Sequence, residues 1–296
     1  MPKIIQFFHP GQETQDRFIC QSYKEWKTGD HSRNFIKSHG DYVDENGQYN
    51  SDDLVFWGEW EARARVKKTF FRKTEPQRLI EPIKCMIPSH RLPMACSRTK
   101  CGSSDSYQNT DPFVFGDCFR YSYCKQKAFP FLKALDEDSI ILFGSHKKGK
   151  FLLDTVFVVG NNPRKYRNKK DLNGIPNYSD YCNYLLDLTD IKSPDECVYY
   201  EGKTFSSVGM FSFSPSKFFS EKSDCTFHRV ELDANQLSSF FAGTSFSDWQ
   251  TQGINSQEKK DFPKDVIQQG WEKLKNFVFE QGCVLGVKFD IPTKIK

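Results

Sequence analysis

Between residues 54 and 67 the chain alternates so that chemistry sorts onto one side. Read as extended backbone, one face carries Trp57, Glu59, Glu61, Arg63, Arg65 and Lys67, and the other carries Phe56, Gly58, Trp60, Ala62, Ala64 and Val66. An indole, two carboxylates and a row of cations in one line suit a nucleotide: the base stacks, its exocyclic amine donates to a carboxylate, and phosphate pairs with guanidinium. The same pattern also describes a solvated strand face with cross-strand ion pairs. Glu59 and Glu61, about 7 Å apart by strand rise, form a candidate acid–base pair. His9, with Glu13 a turn later, is a further catalytic candidate or a hydrogen-bonded core histidine.

Asp154 shares its parity with Leu152, Val156 and Val158, so a carboxylate falls on an apolar face. It must be paired, with Arg120 or a tyrosine as partner, or face a ligand cavity. Two basic runs offer phosphate contacts: Arg63, Arg65 and Lys67 leading into Phe70 and Phe71, and Arg164, Lys165, Arg167, Lys169 and Lys170 around Tyr166. Either could equally be a solvated charged face. Cys85, His90, Cys96 and Cys101 give the spacing C-x4-H-x5-C-x4-C inside a long loop. Tetrahedral zinc is the metal such donors would hold, with free thiols as the alternative. No nucleophile elbow, P-loop or Rossmann glycine pattern is present.

The elements that must position these groups read as follows. A strand opens at Lys3 and ends at His9-Pro10-Gly11. Residues 13–27 have helical spacing, and Asp30 caps a second short helix that buries Phe35 and Ile36 and stops at Gly40. Asn46-Gly47 predicts a hairpin. Residues 84–112 form a long excursion, followed by a short strand at 113–117 and a helix over 119–135, kinked at Pro130. Strands at 139–144 and 151–159 make a second hairpin. Residues 161–170 are a basic loop, and short strands are expected at 197–200, 208–214 and 226–232. Ile267, Trp271, Leu274 and Val278 share one helical stripe before Gly282 and a last strand at 284–289. This pattern predicts an α+β fold with a curved or barrel-like, mostly antiparallel sheet and flanking helices. It divides into a β-barrel-like ligand-binding region at 1–160, including the excursion at 84–112, and a β-rich extension at 161–296.

The segment Asp138-Ser-Ile-Ile-Leu-Phe-Gly-Ser, then Gly149-Lys-Phe-Leu-Leu-Asp-Thr-Val-Phe-Val-Val, resembles the central hairpin of PUA-like barrels of the ASCH, EVE and YTH kind. Arg120 and Tyr121-Ser-Tyr stand where that hairpin's preceding helix would be. The likeness spans residues 113–160, and Asp154 replaces a residue that is usually small or apolar there. It implies a small β-barrel that reads a modified or flipped base in DNA or RNA.

The 296 residues suffice for one large or two modest domains. A formal charge of +4 is too mild to establish nucleic-acid binding by itself. The mean hydropathy of −0.64 and the absence of a secretory signal at the first residues predict a cytoplasmic chain without membrane spans, whose ten cysteines remain thiols. Most of the 28 phenylalanines fall in strand-like runs, leaving Trp57, Tyr166, Phe70 and Phe71 as ligand aromatics. These features favour a module that binds DNA, RNA or a nucleotide. An enzyme acting on a nucleotide or glycosyl substrate through Glu59, Glu61, Asp154 and His9 is the alternative, and an interaction protein of a defence system is a third.

Overall fold

The computed structural model describes residues 1–12, 23–24, 33–60, 64–72, 75–83, 111–147, 149–178, 181, 196–222, 228–244, 246, 253–256 and 261–293. The side chains of 9–12, 23–24, 70–72, 75–77, 169 and 253–256 are outside that description. The fold is mostly β with flanking helices, as the alternating apolar runs predict. Strands β1 (Ile4–Gln12), β8 (Ile140–Lys147), β9 (Lys150–Val158), β13 (Val230–Leu232) and β14 (Gly253–Ser256) form one sheet in the order β13-β9-β8-β1-β14. A second sheet runs β15-β12-β4-β3-β6-β5-β2, from β2 (Tyr23–Lys24), β3 (Arg33–Val43), β4 (Tyr49–Glu59), β5 (Ala64–Arg72), β6 (Glu75–Pro82), β12 (Ser214–Phe218) and β15 (Val284–Phe289). A third, small sheet joins β10 (Arg164–Tyr166), β11 (Cys197–Glu201) and β7 (Arg120–Tyr121).

Most pairings are antiparallel; β1 with β8 and β3 with β6 are parallel. The second sheet curls because β3 shares out its edges. One edge follows β4 from Arg33↔Glu59 to Val43↔Tyr49. The other meets β6 at Phe35 and Ile36, then β15 from Gly40 to Val43. Since β15 also pairs with β12, and β12 with β4, these four strands form a nearly closed ring. Strands from 214–218 and 284–289 thus complete a sheet begun before residue 60, and 230–232 and 253–256 extend the first sheet. A boundary at residue 160 therefore cuts through both.

Both faces are buried along β8, β9, the start of β3 and the end of β4. One apolar cluster gathers Phe7, Ile36, Phe56, Trp60, Phe143, Phe157 and Phe289 beneath the small sheet's Tyr121, Tyr199 and Tyr200. The other gathers Phe8, Phe35, Val55, Trp57, Leu142 and Val156 beneath two helices, α1 (Ala234–Phe240) and α2 (Lys264–Glu280). The stripe of Ile267, Trp271, Leu274 and Val278 is buried, as its spacing predicts.

The hairpin at Asn46-Gly47 forms as expected. Asp44 Oδ1 accepts the backbone N–H groups of Asn46 and Gln48 at 2.9 Å, and Gly47 takes the positive φ of 76° that a side chain would resist. Several expectations are corrected. The helix expected over 30–40 is strand β3: Phe35 and Ile36 enter opposite clusters, which suits period two. Gly40 is needed for close approach, since a Cβ there would lie 2.3 Å from the Lys288 carbonyl oxygen of β15. The helix expected over 119–135 is the two-residue β7, a series of turns and a 3-10 turn at Pro130–Lys133. β1 does not end at His9 but rejoins the ladder at Gln12 after a register shift. The basic loop contains β10 and a 3-10 turn at Lys169–Leu172, and 208–213 is not strand. Of the helix expected at 13–27, the described Tyr23–Lys24 are instead strand β2, paired with β5; the rest of it and most of the 84–112 excursion lie outside the described residues.

Gly40→Ala is expected to lower stability by about 1–3 kcal/mol, because the ring must open to admit the methyl group. Chemical denaturation measures it, and a variant as stable as the parent would show that β15 does not press on Gly40.

Candidate functional site

Strand β9 carries an extra residue opposite β8. Phe143 pairs with Thr155 and Gly144 with Leu153, so Asp154 is the bulged residue between them. The bulge shifts the parity: Leu153, not Leu152, joins Val156 and Val158 in the helix-side cluster. Asp154, 2 % exposed, meets two guanidinium groups there. Arg33 Nη1 donates to Oδ2 and Arg229 Nη2 donates to Oδ1. Arg229 Nη2 also reaches Ser145 Oγ at 2.8 Å. These are the partners the carboxylate required. Arg120, the expected one, is committed elsewhere: it donates to Tyr199 OH at 3.1 Å and to the carbonyls of Phe115, Cys118 and Pro176.

Trp57 and Glu59 reach the same place from β4, which lies against β9. The Arg229 guanidinium carbon sits 4.5 Å from the centre of the Trp57 ring. Phe35 meets the same indole in a T-shaped contact at 4.8 Å. Glu59 pairs in register with Arg33 across the β3–β4 ladder. Trp57 is 6 % exposed and Glu59 5 %, so the face read as open or cleft-lining is buried at this end. Burial pushes the Asp154 carboxyl above its ordinary value; the Arg33 guanidinium opposes that push, and the Glu59 charge adds to it. Asp111, also buried, is pushed up to about 7 by burial, against backbone N–H donors from Cys124, Tyr123 and Ser122 and with a small addition from the Glu59 charge.

Thus Trp57, Glu59 and Asp154 converge, while the cations do not join them in line. Arg65 and Lys67 belong to β5, three strands from β4 and roughly 14 Å away at ordinary strand spacing. Both lie 3.7 Å from Glu81 Oε2. Register through β6 and β3 keeps Arg65 on the Trp57 side of the sheet. The second basic run is separate again: Arg164 donates to the Asn173 carbonyl at 3.3 Å, while Lys165 and Arg167 approach Glu196 at 3.2 and 3.8 Å. Tyr166, expected among them as a stacking ring, is buried and donates its hydroxyl to the Ser122 carbonyl at 2.7 Å. Glu61, Arg63, Glu13 and the zinc candidates Cys85, His90, Cys96 and Cys101 lie outside the described residues, as do the side chains of His9, Phe70, Phe71 and Lys169. Among the described residues no cluster of potential metal ligands occurs, and no helix is long and apolar enough to cross a membrane.

This chain matches no protein-family model, no curated protein and no solved structure.

Arg33, Arg229 and Ser145 complete the cluster without having been singled out in the sequence. Their signal was available: Arg33, Phe35 and Lys37 alternate with Asn34 and Ile36, and Arg229 stands just before the alternating Val230-Glu231-Leu232. A second polar place is an open cleft of about 470 Å³ lined by, among others, Glu137, Asp138, Asn161, Glu201, Lys203 and Lys264. Asp138 accepts from Lys203 and, at 2.9 Å, from Lys264. Burial alone would raise its carboxyl, but the two ammonium groups together outweigh this and hold it below the ordinary aspartate value.

Two measurements follow. Asp154→Ala removes the carboxylate that two buried guanidiniums share and should cost about 3–5 kcal/mol, whereas Arg33→Met with Asp154→Leu and Arg229→Met should cost much less. Equal losses would mean the charges do not act as a unit. Asp138 stabilises the fold above the unfolded aspartate pKa near 4, and that contribution is lost as pH falls through its lower folded value. Asp138→Asn should therefore flatten the fall in stability between about pH 5 and 3; an unchanged slope would dismiss the pairing.

Proposed function

We propose that this chain binds nucleic acid, or a nucleotide, through the cluster around Trp57. The observation that carries the reading is the convergence of Trp57, Glu59 and Asp154 with two guanidinium groups at one place between the sheets. An indole offers a base a stacking partner, carboxylates accept from its exocyclic amines, and Arg65 with Lys67 on the same side of the sheet offers phosphate contacts to the neighbouring nucleotides. The PUA-like likeness of 113–160 supports the further step that the base is modified or flipped from its stack.

Binding of short single-stranded DNA and RNA, followed by anisotropy, tests this. Affinity should fall with rising salt, and Arg65→Gln with Lys67→Gln should flatten that slope. Trp57→Ala should weaken binding by about 5- to 150-fold, the worth of one stacked base; unchanged affinity would overturn the reading.

A second reading is favoured by one observation: burial, with a smaller push from the Glu59 charge, raises the carboxyls of both Asp111 and Asp154, and buried acids so placed suit acid–base chemistry on a bound nucleotide or glycosyl group. It requires that Glu59→Gln abolish turnover while sparing the fold and ligand binding.

A further inference from the structure

Resting on the base-binding reading, we infer that Arg229 is a plug over Trp57, occupying the ring face that a base would use and leaving when one binds. Its guanidinium carbon lies 4.5 Å from the ring centre, within the range of a cation–π contact. Phe35 already packs against the same indole in a T-shaped contact. The Trp57 Nε1 group is buried without a hydrogen-bond partner among the described residues, so a polar acceptor arriving with the ligand would satisfy it. Stacked base and stacked guanidinium exclude one another.

The placement of the three charged residues says which one moves. Arg33 sits in β3, paired on both edges, and Asp154 sits in β9, between β8 and β13. Arg229 precedes the three-residue edge strand β13, whose Val230, Glu231 and Leu232 pair with β9. Departure of Arg229 leaves Asp154 its contact with Arg33 and returns one guanidinium to water. A ligand without a planar face gains nothing in exchange, so the plug makes the site selective for stacking ligands.

Arg229→Ala removes the competitor, and Arg229→Gln removes the cation while retaining donors for Ser145 and Asp154, so it reports even if the alanine variant does not fold. A single-stranded oligonucleotide is the probe, with Trp57 observed by fluorine NMR in fluorotryptophan-labelled protein and assigned by loss of its signal in Trp57→Phe. Both variants should bind about two- to thirty-fold more tightly than the parent, the equivalent of one lost cation–π contact, with the Trp57 signal shifting on addition of the oligonucleotide. A purely structural Arg229 would weaken binding when removed. Equal or weaker binding with a responsive Trp57 signal would overturn the plug and leave base binding standing. No response of Trp57 in parent or variants would overturn the base-binding reading and the plug together.

Discussion

The structure turns on one carboxylate. Asp154 is drawn from water between Arg33 of the curled sheet and Arg229 at the edge of the five-stranded one. Removing that charge from water is costly, and a guanidinium at each oxygen offsets the cost here. The bulge in β9, the start of β3 and the entry into β13 are therefore set by one another. The apolar contacts between the sheets are non-directional and would permit sliding; this interaction fixes their relative position.

Much of the fold was legible because period and punctuation agreed. The Asn46-Gly47 turn, the 140–158 hairpin and the stripe of α2 each combine a strong pattern with a clear stop. The demand that Asp154 find a partner was also readable, since a carboxylate on an apolar face has few alternatives. Its partners were not. Phe35, Ile36 and Gly40 suit a short helix as well as a strand, and Arg33 disappeared into that ambiguity. At 54–67 the alternation continues past the end of β4, so two strands that are not neighbours share one pattern. β7 is two residues long and has no period to detect. The bulge itself has no sequence signature, yet it decides which side chains accompany Asp154.

The aromatic excess takes on a more exact meaning in this setting. Tyr121, Tyr199 and Tyr200 build one cluster, with Tyr200 donating to the Leu132 carbonyl and Tyr121 to the Cys124 carbonyl. The hydroxyls of Tyr121 and Tyr200 anchor the irregular 122–135 segment, while all three rings fill the interior. Trp57 differs from them in having its ring face covered by a charge and its polar atom without a hydrogen bond among the described residues. Packing and hydrogen bonds account for the three tyrosines; Trp57 is held instead between Phe35 and a guanidinium.

The nearly closed ring of β3, β4, β12 and β15 also has a consequence in time. Its two central strands are complete by residue 59, but the strand that closes it spans 284–289. During synthesis the early hairpin must wait until residues 284–289 are made before that part of its edge is covered. Contacts so distant in sequence slow the search for the native state and leave an apolar strand edge exposed meanwhile. A nascent chain of this design gains its protection late, when its last strand is laid beside one of its first.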